Sequence, residues 1–479
     1  MKTIFPELQH CPLRHRAMHQ SRCIAIQMEE ESVTFRQLDQ WVDECCRIYR
    51  EKGLKTGDRL LFITSKPLDT VVVALACLRS QWVFCPVNPA FPEDQRKGYA
   101  DRTGARMAAD SAGINFHQQL MQEQSLKPVK SLQPVKSLQP VNSLQPIEIF
   151  PDDIYDQVAT SGTTGIPKAV AHSYKNHYFN ALGSMEVLPL MYGDTWLLSL
   201  PVFHVGGLAI VMRCILAGAT MVIFEQKLSL DEILAQKRIT HLSVVNTQLF
   251  RLVRSGISLY DAGVRFILLG GGIASPLLVE AVKEQGICVL TTYGMTEMAS
   301  QVCTGEPLFT EGGVTSGAVL PWREVKLSGQ GEIMVRGETL AKGYYENGMV
   351  TSLRDSRGWF YTGDKGLWYG SQIQICGRMD NMMVSGGENI HPEEIEQALL
   401  TLPEIVQAVV VAAADSEFGM RPVAYVQTVD GTLNEPFTKE RLAGKIAKFK
   451  VPVHIHLFPE QIAESGIKIN RRFFQALLE

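Results

Sequence analysis

The chain has 479 residues, a formal net charge of −4 at neutral pH and an apolar fraction of 46%. That length exceeds one ordinary hydrophobic core and predicts two or more domains. With no net positive charge and no long basic run, nothing electrostatic argues for nucleic-acid binding. The N-terminus, Met1 to Pro6, lacks the apolar core of a signal peptide. The most apolar long stretch, 206–224, is interrupted by Arg213 and by glycines, so it reads as a buried helix plus strand rather than a membrane span. Ten scattered cysteines contain no C-x-x-C pair. They read as reduced core thiols in a cytoplasmic protein.

The first hundred residues predict a mixed α/β region. A strand from Val33 to Leu38 runs into a helix through Trp41 and Cys45. A strand at 58–64, a buried helix at 69–78 and a strand at 83–87 follow, the last ending in the Asn88-Pro89 turn. Apolar strands alternating with helices argue for a parallel sheet covered on both faces. From Ser125 to Pro146 a six-residue unit, Ser-Leu-Gln-Pro-Val-Lys and its variants, recurs four times. Four units cannot bury a core, and a proline in each breaks any strand ladder. The expectation is a solvated, polyproline-like insert that is poorly ordered and dispensable.

Next comes Thr160-Ser161-Gly162-Thr163-Thr164-Gly165-Ile166-Pro167-Lys168, following a strand at 154–158. Glycines let backbone approach an anion, consecutive N–H groups form a nest for phosphate oxygens, and Lys168 adds a full charge. The same composition also suits a flexible surface turn. It is not a Walker loop, because Ala169 stands where a magnesium-binding hydroxyl would follow the lysine. Downstream, a strand at 196–200 ends at Pro201-Val202-Phe203-His204, and a strand at 265–269 closes on Gly270-Gly271-Gly272. Ser275 and Pro276 read as N-cap and first position of a helix through Lys283. A strand at 288–292 feeds Tyr293-Gly294-Met295-Thr296-Glu297. From Gly331 onward short strands and turns suggest barrel-like material. A boundary near Gly377-Arg378-Met379-Asp380 divides a large domain, 1–378, from a small α+β domain, 381–479. In the latter Pro392-Glu393-Glu394 opens a helix to Leu400, and 406–412 and 422–427 are strands.

Five stretches in this order, Thr160 to Lys168, Tyr293 to Glu297, Tyr361-Thr362-Gly363-Asp364, Gly377 to Asp380 and Gly466-Ile467-Lys468, resemble the adenylate-forming superfamily of acyl-CoA synthetases, adenylation domains and luciferases. The resemblance covers all but the Pro-rich insert. It implies an α/β fold: a large N-terminal domain of stacked sheets with helices and a barrel-like part, and a small mobile C-terminal domain. Leu200 to Gly207, Asn176-His177-Tyr178 and Ser385 to Ile390 are most similar to the branch that activates o-succinylbenzoate for menaquinone synthesis.

The resemblance implies attack of a carboxylate on the α-phosphate of ATP, then displacement of AMP by the thiol of coenzyme A. An anion meeting a polyanion needs cations and oriented donors. By this likeness Thr160, Ser161, Gly162, Thr163, Thr164 and Lys168 hold the β- and γ-phosphates, Glu297 helps bind Mg2+, and Thr296 contacts the α-phosphate. Gly270, Gly271, Gly272 and Gly294 lie near the adenine, with Tyr293 stacked on it. Asp364 accepts from the ribose hydroxyls, and Arg378 reaches ribose and phosphate. Lys468 serves adenylation, delivered by rotation about Asp380, which then turns the Gly386-Gly387 face toward the thiol. His204 lines the acyl channel, and Gln248, Arg251 and Arg213 are candidates for the second carboxylate of the substrate. Locally, Asp364 also fits an ordinary turn, Glu297 a helix cap, Tyr293 a core position, and His204 a buried, backbone-bonded ring. The short run after Lys468 leaves no room for a fused carrier domain and favours free coenzyme A. Other readings are a ligase for a different aromatic or fatty acid, an adenylation enzyme serving a carrier in trans, a luciferase-like oxygenase, and a non-catalytic nucleotide-binding regulator. The expected partners are small molecules only, without membrane or nucleic acid; a homo-oligomer stays open.

Overall fold

Thr34 decides how the N-terminal sheet begins. Its hydroxyl accepts the Gln37 N–H at 3.2 Å, while Gln37 Oε1 accepts the Thr34 N–H at 2.9 Å. This reciprocal cap starts the helix Phe35–Glu51 at once, so the strand expected to run to Leu38 is only Ser32–Thr34. The helix Pro67–Ser80 is apolar nearly all round and buried from Leu68 to Ser80. Its one basic residue, Arg79, is held by Asp39 and by Asp43 at 2.7 Å, so the buried cation is paired.

The computed structural model describes residues 6–105, 107–110, 144–160, 166–226, 228–459 and 471–478. The repeat insert up to Ser143, Ser161, Gly162, Thr163, Thr164, Gly466, Ile467 and Lys468 lie outside the described residues.

Two large sheets carry the N-terminal part. The first has thirteen strands. Within it Cys288–Met295, Phe266–Leu269, His241–Val244, Thr195–Leu197, Thr220–Val222 and Ile24–Gln27 are successive parallel neighbours. Direction reverses at Ser300–Gly305, which pairs antiparallel with Cys288–Met295. The second sheet has seven strands, with Val83–Val87, Arg59–Ile63 and Met107–Asp110 parallel and Ile154–Thr160, Lys168–Ser173 and Gly343–Glu346 antiparallel. The strands expected to be barrel-like are distributed between them. Glu332–Gly337, Phe360–Tyr369 and Gln372–Arg378 extend the first sheet, and Gly343–Glu346 and Met349–Thr351 edge the second. The strand expected at 196–200 stops at Leu197, and the 206–224 stretch is the helix Val205–Ala217 followed by the strand Thr220–Val222.

Beyond the 3₁₀ turn Met379–Asn381, the helix Pro392–Leu400 packs on a smaller sheet that includes Ile405–Asp415 and Gly419–Thr428. Ile395, Leu399, Val410, Ala424 and Leu442 form a core there. All ten cysteines are free thiols. Among the described residues no helix is long and apolar enough to cross a membrane.

Candidate active site

The strands Ile154–Thr160 and Lys168–Ser173 are antiparallel, with Thr160 the register partner of Lys168. The Gly-, Ser- and Thr-rich stretch therefore begins and ends on residues that face each other. Arg102, on the helix Glu93–Thr103, pins the exit of this connection by donating to the carbonyls of Ile166 at 3.1 Å and Pro167 at 2.6 Å. The exposed Lys168 ammonium lies 4.7 Å from the ring centroid of Tyr344. The Tyr344 hydroxyl in turn donates to Glu297 Oε1 at 2.8 Å. One tyrosine therefore joins the loop lysine to the acid of the second motif.

That second motif sits where the parallel part of the large sheet gives way to its antiparallel flank. The strand Cys288–Met295 passes into the single turn Thr296–Met298, and Ala299 adopts φ +54° before Ser300–Gly305 returns. The Thr296 carbonyl accepts from His172 Nε2 at 2.7 Å, and Ala341 N–H donates to the Glu297 carbonyl at 2.8 Å.

A cavity of about 360 Å³ opens beside this turn. Gly270, Gly271 and Gly272 wall it, together with Tyr293, Gly294, Asp364 and Arg378. Gly271 has φ +83°, and a Cβ there would stand 2.9 Å from Val245 Cγ1, so a side chain would strain this wall. Asn246 ties the glycine turn down, donating to the Ile273 carbonyl and accepting from Ser275 N–H at 3.3 Å. Ser275 precedes the helix Pro276–Lys283 as expected, but its hydroxyl makes no capping bond; it is buried without a partner among the described residues. Asp364 accepts the Tyr293 hydroxyl at 2.6 Å and Arg378 Nη1 at 3.2 Å. Arg378 also forks onto both oxygens of Asp380, at 2.9 and 3.1 Å. Burial, then the Asp364 charge, pushes the Tyr293 phenol well above its ordinary range. The fork from Arg378 holds Asp380 low. The small domain adds Glu393, Glu396 and Arg471 to the lining.

Gly271, Gly272, Tyr293, Gly294, Asp364 and Arg378 thus share one cavity, and Tyr344 brings Lys168, from the second sheet, together with Glu297, two residues beyond the end of Cys288–Met295. His204, Arg213, Gln248 and Arg251 are not on the cavity wall. His204 is exposed, not buried, and is the N-cap residue of the helix Val205–Ala217. Gln248 accepts the Val245 N–H at 3.0 Å, and Arg251 is exposed. Nine residues into the helix that His204 opens, Arg213 is 1% exposed. Its guanidinium lies 5.4 Å from the Trp196 ring centroid and donates to Gln301 Oε1 at 2.5 Å. Arg323, also buried, spends its donors on the carbonyls of Gln301, Pro321 and Asn180. Burial pushes Arg213 down to about 10, and burial followed by the Arg213 charge pushes Arg323 down to about 9. Among the described residues, neither arginine has a carboxylate partner.

Tyr344, His172, Arg102 and Arg323 were not singled out by the sequence. Each acts through a partner far along the chain, and no local spacing marks such a pairing.

Residues 13–345 match the AMP-binding enzyme family, and 394–465 match the AMP-binding enzyme C-terminal domain. The chain belongs to the AMP-binding enzyme family. Within this family it is 34% identical over 477 residues to the 2-succinylbenzoate–CoA ligase of Escherichia coli K12, covering 98% of this chain and 97% of the relative. The ligase of the same name from Haemophilus influenzae is 39% identical over 323 residues, 65% of this chain and 68% of the relative. The fold is similar to a variant of E. coli MenE with bound OSB-AMS, with TM-score 0.83, 30% identity and coverage of 99% and 100%. It is also similar to Bacillus subtilis o-succinylbenzoate coenzyme A synthetase in complex with ATP and magnesium ion, with TM-score 0.79, 26% identity and coverage of 94% and 96%. The expected α/β architecture, a large sheet-rich N-terminal part with helices and a small C-terminal one, is the architecture of these AMP-binding enzymes.

Proposed function

We propose that this AMP-binding enzyme activates o-succinylbenzoate with ATP and transfers the acyl group to coenzyme A, in the cytoplasm and in the service of menaquinone synthesis. The observation that carries the substrate assignment is Arg213. A cation this deeply buried, with only neutral partners in the described structure, suits a ligand that brings its own negative charge. o-Succinylbenzoate has two carboxylates and activates one, leaving the other to be neutralised. The full-length likeness to 2-succinylbenzoate–CoA ligases supports the same reading.

In the first half-reaction a carboxylate oxygen attacks the α-phosphorus and the bond to pyrophosphate breaks. In the second, the thiol sulfur attacks the acyl carbon and AMP leaves. Thr160, Ser161, Gly162, Thr163, Thr164 and Lys168 would hold the outgoing pyrophosphate. Asp364 and Arg378 would hold the ribose, and Tyr293 with Gly271, Gly272 and Gly294 would hold the base. Asp364, oriented by its bonds to Tyr293 and Arg378, is an acceptor of the kind that ribose hydroxyls need. Glu297 suits Mg2+: it offers a hard oxygen donor, and Oε2 has no hydrogen-bond partner among the described residues while Tyr344 orients Oε1. The ion would neutralise phosphate charge. Thr296 would contact the α-phosphate, and His204 would stand at the mouth of the acyl channel.

Lys468 would stabilise the charge that develops at the α-phosphorus. Arg471, three residues further on, lines the same cavity as Asp364. The units 1–378 and 381–479 would rotate about Asp380, exchanging the Arg378–Asp380 fork and removing Lys468 for thioester formation. A panel of carboxylic acids assayed for AMP release with coenzyme A present tests the assignment. o-Succinylbenzoate should give the highest kcat/KM. A fatty acid or an aromatic monoacid in that place would overturn it.

A further inference from the structure

Behind the Thr296–Glu297 turn lies a cluster to which the motifs assign no role. Asp156, His172 and His177 are each no more than 1% exposed. Asp156 Oδ1 faces His172 Nδ1 at 2.6 Å, and Oδ2 faces His177 Nε2 at 2.5 Å. The other nitrogen of His172, Nε2, faces the Thr296 carbonyl at 2.7 Å. Tyr155 packs edge-on against His177, its ring centroid 5.7 Å away.

The hydrogens follow from the acceptors. A carbonyl oxygen only accepts, so His172 Nε2 carries a hydrogen. An ionised carboxylate also only accepts, so Nδ1 carries one too. His177 needs one hydrogen, on Nε2, because its Nδ1 is buried without a partner in the described structure. The cluster then contains one anion, Asp156, one cation, His172, and one neutral ring, His177. Charge balances inside the fold, as a buried cluster requires. Burial alone would depress the His172 pKa, but the charge and hydrogen bond of Asp156 outweigh it and raise it. Burial keeps His177 low, and the two rings hold Asp156 below its ordinary value despite burial. A metal ion bound by these three residues, whose donor atoms lie within 4.8 Å of one another, fits less well, since both His172 nitrogens are already committed as donors.

We infer that His172, held by Asp156, is a positioning residue for adenylation: a doubly protonated imidazolium whose Nε2–H fixes the Thr296 carbonyl and thereby aims the Thr296–Glu297 turn. The clamp joins the two large sheets, because His172 lies in Lys168–Ser173 of one and Thr296 directly follows Cys288–Met295 of the other. Lys168 begins the His172 strand and Glu297 follows Thr296, so the residues proposed to take phosphate and Mg2+ are registered through this contact. The functional half of the inference rests on the assignment of Thr296 and Glu297 to ATP and Mg2+.

The test uses the full-length enzyme labelled with 15N-histidine. At pH 8 the spectrum should contain one ring protonated on both nitrogens, and that ring should vanish in His172→Gln. The variant should lower kcat/KM for Mg·ATP in acid-dependent pyrophosphate exchange by roughly ten- to a hundredfold, with KM for the acid within about twofold. A neutral His172 ring at pH 8 overturns the clamp. So does an equal rise in the KM of acid and nucleotide, or no change in either. Should His172→Gln fail to fold, the wild-type spectrum still decides the protonation state, with Asp156→Asn used to assign the ring. The spectrum is independent of turnover, so a wild-type enzyme that activates no acid would refute the proposed function without touching the clamp.

Discussion

Replacing Arg213 with methionine separates what the residue does for the ligand from what it does for the fold. Burial has moved its pKa from 12.5 to about 10, so holding the charge at neutral pH costs on the order of 3 kcal/mol. Methionine removes that cost. It also removes the hydrogen bond to Gln301 and the face-on contact with Trp196, together about 2–3 kcal/mol. The two nearly cancel, and the unfolding free energy of Arg213→Met should lie within about 2 kcal/mol of wild type in urea melts. The effect on substrate should not cancel. A carboxylate buried without its cation loses about 2–4 kcal/mol, which is roughly 30- to 1000-fold in kcat/KM for o-succinylbenzoate. An aromatic monoacid has no second carboxylate to lose, so its kcat/KM should change less than about threefold. The assay is AMP release with coenzyme A at saturating Mg·ATP. Equal losses for the diacid and the monoacid, or an unchanged diacid value, would remove Arg213 from the substrate site.

Tyr344→Phe keeps the ring beneath Lys168 and deletes only the bond to Glu297; half-saturating Mg2+ should rise several-fold while KM for the acid holds, and Tyr344→Leu should be worse in pyrophosphate exchange because the cation–ring contact is lost as well. Burial raises Glu396 from 4.5 to about 7 in the folded protein, against the opposing charge of Arg471. Between those values the folded state keeps a proton that the unfolded chain has released, so stability falls as pH rises from about 4.5 through about 7, by up to about 3 kcal/mol. Denaturant melts at pH 5.5 and 8 should show that slope in wild type and a flatter one in Glu396→Gln. Deleting residues 125–146 should leave kcat within about threefold; lost activity in a folded deletion variant would contradict the reading of the repeat as a dispensable insert.

The sequence made much of this legible where function concentrates at strand ends. Tyr293 to Glu297 and Gly270 to Gly272 were visible because a glycine-rich or polar run directly follows an apolar strand, and the structure puts both where the large sheet meets the cavity. Helix starts were legible where proline marks them, at Pro276 and Pro392, but not at Thr34, where a reciprocal cap with Gln37 overrode the strand-like look of Val33 to Phe35. The supports of the site were hidden. His172 meets Thr296 across 124 positions and Tyr344 meets Glu297 across 47. Only the pairing of Lys168–Ser173 with Gly343–Glu346 puts His172 and Tyr344 in neighbouring strands. Arg213 lay between: an arginine in an apolar run signals something unusual, but its lack of an acidic partner in the described structure required coordinates.

Adenylation and thioester formation would make different demands on residues of one cavity. Separate assays of the two half-reactions in Lys468→Ala test this. o-Succinylbenzoate-dependent pyrophosphate exchange should fall by at least about a hundredfold, while thioester formation from supplied acyl-adenylate and coenzyme A should stay within about fivefold of wild type. Equal loss in both half-reactions, or undiminished exchange, would contradict it.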